Sequence, residues 1–291
     1  MLLGLARRGA FLREPARRRV PQGTRVYAIG DVHGRADLLC ELHRSITEHA
    51  QRFPVARNAL IYLGDLIDRG PESRSVIELL LDQPLLGFEQ FHLRGNHDDC
   101  LARFLDHPGI GELWLSHGGN DTLRSYGVLP PRSLSDWREI LRAQRQLREA
   151  MPRKHVNFFH SLRHAHVEGD YFFVHAGVRP GVALEHQLWE DLLWIGDEFL
   201  KSKRDHGKVI VHGHTVTATP VVRPNRIGID TGAFVSGRLT CVVIQDDHVS
   251  FLQAAIESTR EIQSEIPSFA GGLSAGRQGR PGFGSHGLRS G

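Results

Sequence analysis

The chain has 291 residues, enough for one large domain or two small ones, and its 40 % hydrophobic content is ordinary for a globular protein with a sizeable core. Three widely spaced cysteines, Cys40, Cys100 and Cys241, argue for reduced thiols in a cytoplasmic setting and against a disulfide frame. The formal charge of +3 is unevenly placed: seven arginines against Glu14 give residues 1–25 a net +6, three arginines give residues 268–291 +3, and the middle is left at −6. The basic balance therefore does not describe a nucleic-acid groove on the folded part, and no nucleic-acid partner is expected.

In the first residues, Arg7 and Arg8 interrupt the short apolar start, whereas a secretory signal places its charge before the apolar run. An Arg-rich, acid-poor leader also has the composition of an organellar transit peptide. No apolar run approaches the about 18 residues needed to span a bilayer. A disordered basic arm is expected over 1–24, one folded domain over 25–256, and a disordered Gly/Ser/Arg-rich tail over 257–291.

Within the domain, short runs rich in β-branched and aromatic residues read as strands: RVYAIG, NALIYLG, FEQFHLRG, YFFVHA, KVIVHG, RIGID, LTCVVI and VSFL. Between the first two, Leu38, Leu39, Leu42 and Ile46 form one face of a predicted helix. Behind Pro71, Val76, Ile77, Leu80 and Leu81 form another. Residues 97–161 hold about four helical stretches and no clear strand, which reads as a helical insertion. The last strands, joined by QDDH at 245–248, read as antiparallel, so an α/β fold with mixed sheets is expected.

Five of these strands end on a metal-capable side chain: Asp31 and His33, Asp65, Asn96, His175, and His214. Ligands of open α/β sheets bind at the carboxyl ends of strands, so five such strands can build one polydentate site. Carboxylate, amide oxygen and imidazole without thiolate suit Mn²⁺, Fe or Zn²⁺. Two such ions about 3.5–4 Å apart can clamp the oxygens of an in-line displacement, with Asp65 the natural bridging carboxylate. Each residue alone has an ordinary reading: Asp31 and His33 a turn, Asp65 a turn acid, Asn96 a helix N-cap, His175 a core histidine. All of those would have to hold together at the same place relative to a strand end.

The blocks GDVHG (30–34), GDLIDRG (64–70), RGNHD (94–98), VHAG (174–177) and HGHT (212–215) occur in the order seen in metallophosphoesterases. The DRG ending, WLSHGGNDTLRSYG and IDTGAFVSGRLT resemble the phosphoprotein phosphatase branch, in particular its bacterial and bacteriophage serine/threonine phosphatases, over about residues 25–245. The resemblance implies a four-layer sandwich, two mixed sheets flanked by helices. It implies that Asp31, His33 and Asp65 hold one divalent ion, most simply Mn²⁺, and that Asp65, Asn96, His175 and His214 hold the other. It further implies a hydroxide between the metals as nucleophile, His97 as general acid oriented by Asp68, and Arg69 and Arg94 as phosphate ligands. His212 is read as a core or supporting residue.

Two positions depart from the family pattern. Gly196 stands where relatives place an arginine after the Trp-Ile pair, with Arg179, Lys201 or Lys203 as candidate substitutes; Asp98 replaces a glutamate of the eukaryotic members. The substrate expected is a phosphoprotein or a small phosphoester. The rival enzyme is a symmetrical diadenosine tetraphosphate hydrolase, which lacks the Asp68 equivalent. A catalytically weak, regulatory phosphate-binding module is the third reading, motivated by Gly196.

Overall fold

The computed structural model describes residues 18–255 and the short strand 260–262. The first sheet contains β1 (Thr24–Ile29), β2 (Arg57–Tyr62), β3 (Phe88–His92), β9 (Arg238–Gln245), β10 (His248–Ala255) and β11 (Arg260–Ile262). The second contains β4 (Ala165–Glu168), β5 (Tyr171–Val174), β6 (Val209–His212), β7 (Val221–Arg223) and β8 (Arg226–Gly228). Their orders are β11-β10-β9-β1-β2-β3 and β4-β5-β6-β8-β7. Strands β1, β2 and β3 run parallel, as do β5, β6 and β8, and the remaining pairings are antiparallel, so both sheets are mixed.

Alternation along the strands divides the core. Val26 and Ala28 of β1 face the second sheet with Phe173, Val211 and Ile227, whereas Tyr27 and Ile29 face the helices of the first layer. Those helices are α1 (Ala36–Arg52) and α2 (Ser73–Asp82), which bury Leu38, Leu39, Leu42 and Ile46, and Val76, Ile77 and Leu80, as their periodicity predicts. On the far face of the second sheet, Phe172, Val174 and Ile210 pack under Leu192 of α8 (Trp189–Trp194) and Phe199 of α9 (Asp197–Leu200). The result is helix, sheet, sheet, helix: the four layers expected.

The 97–161 region is helical: α3 (Asn96–Asp106), α4 (Gly111–Trp114), a π turn at Leu115–Gly119, α5 (Asn120–Ser125), α6 (Trp137–Ala150) and α7 (Arg153–Ser161). It packs through Phe104, Trp114, Leu123, Ile140 and Phe159 onto the core of the first layer. A last short helix, α10 (Ala233–Ser236), precedes β9.

Three strands escaped the sequence reading. β4 and β7 are short antiparallel edges, and β11 lies inside the expected tail. At the other end, residues 18–24 of the expected arm belong to the fold. Val20 is buried and its N–H donates to the Asp246 carbonyl, and Arg18 donates from Nη2 to both oxygens of Asp205 at 2.8 and 2.7 Å and from Nη1 to the Gly207 carbonyl at 2.6 Å. Residues 1–17 of the arm, residue 256 at the end of the expected domain, and 257–259 and 263–291 of the tail lie outside the described residues.

Candidate metal centre

The carboxyl ends of β1, β2, β3, β5 and β6 deliver the predicted side chains to one buried cluster. Asp65 lies at its middle. Its Oδ2 is 3.5 Å from His33 Nε2 and 3.5 Å from His175 Nε2, and its Oδ1 accepts the His97 backbone N–H at 3.0 Å. Two groups of donor atoms share this carboxylate, one with His33 and His97 and one with His175 and His214. The approach depends on Gly95, where an added Cβ would lie 2.1 Å from both Asp65 N and Oδ1.

The second group has a polarity that calls for a cation. His175 Nδ1 donates to the Leu63 carbonyl at 3.0 Å, which leaves Nε2 as a lone pair facing the Asn96 Oδ1 acceptor at 2.8 Å. His214 Nδ1 meets the same amide oxygen at 3.0 Å. Burial lowers the pKa of His175 and brings His214 down to about 4, which disfavours resolving the contact with an extra proton. On the other side, His33 Nδ1 donates to the Ile67 carbonyl at 2.8 Å, so its Nε2 lone pair also points inward, and burial lowers its pKa to about 3. Neutral imidazoles with fixed tautomers are the metal-binding form. Asp65 is pushed up by burial but held low on balance by His175, His97, His33 and His214. Asp31 accepts the His214 backbone N–H, and burial together with Asp230 and Asp65 raises its pKa well above the carboxylate range, a charge excess that cations would relieve. The donor set fits two divalent ions.

Beside it stand His97 and Asp68. His97 Nδ1 donates to Asp68 Oδ2 at 2.7 Å, and both side chains are buried. The Asp68 carboxylate also accepts from Trp114 Nε1 at 2.9 Å and Thr122 Oγ1 at 2.6 Å. Burial pushes the Asp68 carboxyl up despite these donors. Burial alone would lower His97, but Asp65 and Asp68 outweigh it and raise its pKa. Arg69 Nη2 donates to His97 Nε2 at 3.0 Å and Nη1 to His33 Nε2 at 3.1 Å, with the guanidinium 4.8 Å over the Phe234 ring.

Arg94 sits differently. Its Nη1 donates to Asp99 Oδ1 at 3.1 Å and its Nη2 to the Phe159 carbonyl at 2.9 Å, so it ties α3 to α7. His212 is core, as read: it donates from Nδ1 to the Gly213 carbonyl and packs edge-on against Phe199. Arg179 is bound to Asp191 and Glu198, and Lys201 to Asp197, so neither is a free substitute at the Gly196 position.

The sequence reading did not assign roles to Trp114, Thr122, Asp230 or Phe234, although the blocks WLSHGGNDTLRSYG and IDTGAFVSGRLT contain them. It also missed a backbone signature. The non-glycine residues with positive φ among the described residues are His33, Asp65, Asp68, Arg69, His214 and Asp246, and all but the last belong to this site. Such conformations cost about 1–3 kcal/mol each and persist where the surroundings over-determine them, so the fold spends stability on aiming these side chains.

This sandwich and this donor set define a metal-dependent phosphoesterase. The family model "Calcineurin-like phosphoesterase" matches residues 24–228, and the chain belongs to that family. Among its relatives, the asymmetrical bis(5'-nucleosyl)-tetraphosphatase PrpE of Bacillus thuringiensis is 26 % identical over 234 residues, covering 74 % of this chain and 88 % of that one. Serine/threonine-protein phosphatase 2 of Escherichia coli is 27 % identical over 227 residues, covering 74 % and 90 %. The solved structure of a cold-active protein tyrosine phosphatase superposes with a TM-score of 0.53 at 14 % identity, covering 84 % of this chain and 82 % of that one, a likeness of fold. Among the described residues no helix is long and apolar enough to cross a membrane.

Proposed function

We propose that this phosphoesterase is a phosphomonoesterase acting on phosphoserine and phosphothreonine in proteins, with His97 as general acid. The observation that carries the proposal is the 2.7 Å hydrogen bond between His97 and Asp68, a residue whose equivalent the symmetrical diadenosine tetraphosphate hydrolases are expected to lack. Expelling a serine or threonine alkoxide is slow without a proton, and a positioned acid contributes about 10²–10⁴-fold.

In this reading Asp31, His33 and Asp65 hold one divalent ion, and Asp65, Asn96, His175 and His214 the other, most simply Mn²⁺. Two such ions, when bound, acidify water toward neutrality and offset the charge of the transferring phosphoryl group. Arg69 turns its two N–H groups from His33 and His97 onto the phosphoryl oxygens, for which the guanidinium fork is shaped. That movement frees His97 Nε2 to hold the proton it donates, while Asp68 stabilises the imidazolium from the other side. Substrate binding and arming of the acid are thereby one event. Arg94 would have to leave Asp99 and the Phe159 carbonyl to reach a phosphate, so Arg69 provides most of the grip.

A second reading, hydrolysis of a bis(5'-nucleosyl) tetraphosphate, is favoured by the similarity to PrpE. The experiment is hydrolysis of p-nitrophenyl phosphate by metal-stripped protein titrated with Mn²⁺, alongside Asp65→Asn, followed by a phosphopeptide against diadenosine tetraphosphate. Mn²⁺-dependent turnover abolished in Asp65→Asn, with the phosphopeptide preferred, is the expected result. Preference for the dinucleotide overturns the substrate assignment, and no turnover with any divalent ion would leave a phosphate-binding module.

A further inference from the structure

We infer that Asp230 is a further anionic member of the metal centre, serving the cation on the Asp31 and His33 side. This rests on the two-ion reading above. Asp230 follows β8, a strand that the ligand motifs leave out, and it reaches the site because Gly30 has no side chain. An added Cβ there would lie 2.6 Å from the Ile229 carbonyl oxygen and 3.6 Å from Asp230 Cα, so the two loops touch backbone to backbone. The Asp230 side chain is 1 % exposed. Its Oδ1 accepts the Gly232 N–H at 2.8 Å, whereas its buried Oδ2 meets no N–H donor and no cation, the one group hydrogen-bonded to the Asp230 side chain from across the site being another carboxyl, Asp31.

A buried carboxylate oxygen without a donor is unfavourable and rare in folded proteins, and it signals a missing counter-charge. The groups facing it sharpen the point. Asp31 and Asp65 bring two more carboxylates into electrostatic contact, and Arg69 is the cation that acts on Asp230. An asparagine would accept from Gly232 equally well and has the same shape, so what the acid adds is charge. Asp65 is shared between the two donor groups, and the His175 side already has Asn96 and His214. The side with Asp31 and His33 is the one short of protein ligands, and Asp230 stands next to it.

The test is calorimetric titration of metal-stripped protein with Mn²⁺ alone, together with thermal melting in the absence of metal. Wild type is expected to bind two ions. Asp230→Asn should weaken one of them about 10- to 100-fold, the range for residues supporting a metal ligand, and leave the other intact. Metal-free Asp230→Asn should melt above metal-free wild type, because a buried pair of carboxyl groups left to share one proton in place of a cation is relieved. Asp230→Glu should recover part of the lost affinity, because charge is what matters. Two ions bound unchanged by Asp230→Asn, a lower melting temperature without metal, or Glu and Asn variants binding alike would each overturn the inference. Asp31→Asn separates the two layers of argument: if it too leaves both ions unaffected, the two-ion assignment itself is wrong.

Discussion

His97 and Asp68 meet Nδ1 to Oδ2 at 2.7 Å, and the carboxylate is held from the far side by Trp114 and Thr122. The histidine is thereby oriented by an anion that is itself fixed. Its raised pKa follows from carboxylates outweighing burial, and this sets the sign of a pH experiment. A general acid must be protonated to act, so activity is present below its pKa and lost as pH rises through it. Removing the Asp68 charge lowers that pKa. Asp68→Asn should therefore move the alkaline limb of the kcat profile to lower pH and reduce kcat for a phosphoserine peptide by about 10²–10³-fold. Loss on p-nitrophenyl phosphate should be much smaller, because nitrophenolate leaves without a proton. Equal losses on both substrates would show that Asp68 is structural only.

The insertion is coupled to the chemistry through one indole. Trp114 is buried, packs against Phe104, and donates from Nε1 to Asp68. Trp114→Phe keeps most of the packing and removes the donor. A hydrogen bond to a charged buried group is worth about 1.5–3 kcal/mol, so the melting temperature should fall by about 4–10 °C. Because His97 then loses a fixed partner, kcat should fall while KM holds, read from steady-state kinetics on the phosphopeptide.

Arg69 is expected to set phosphate affinity. Arg69→Ala should raise the inhibition constant of inorganic phosphate about 10- to 100-fold, the equivalent of a charge-assisted hydrogen bond. Phe234, whose ring lies 4.8 Å under the guanidinium and edge-on to His33 at 5.2 Å, steadies it. Phe234→Leu should raise the same constant by roughly 2- to 5-fold, the size of one exposed cation–π contact. A Phe234 effect as large as that of Arg69 would mean that the ring touches the ligand itself.

The eight strands read from the sequence are all present because both faces of each sheet are covered, which makes their strands near-continuous apolar runs. The edges β4 and β7 lack that signature, with His166 and Arg223 among their few residues, and each is only a short hairpin arm paired on one side, to the strand that follows it. The same division holds in the site. Asp31, His33, Asp65, Asn96, His175 and His214 were legible because each terminates a strand. Trp114 and Thr122 lie 46 and 54 residues from Asp68 on an insertion with no strand to mark them. The Arg94 hydrogen bond to the Phe159 carbonyl depends on how α3 and α7 pack, which no local pattern encodes.

Gly196 offers the last test. It lies between Trp194, whose ring is edge-on to His214 at 6.4 Å, and α9, and an added Cβ meets no atom within 4 Å. Of the three candidate substitutes, Arg179 and Lys201 are committed to acids, which leaves Lys203 as the only one without an ion pair among the described residues. Gly196→Arg should therefore lower KM for p-nitrophenyl phosphate and the inhibition constant of phosphate by about tenfold, one further charge-assisted contact, with Mn²⁺ affinity unchanged. Arg69→Ala in the same background should be partly rescued, since both guanidinium groups would serve the same phosphoryl oxygens. Unchanged phosphate inhibition would show that Gly196 is no deficit and that this family member grips its substrate with Arg69 and the metal centre alone.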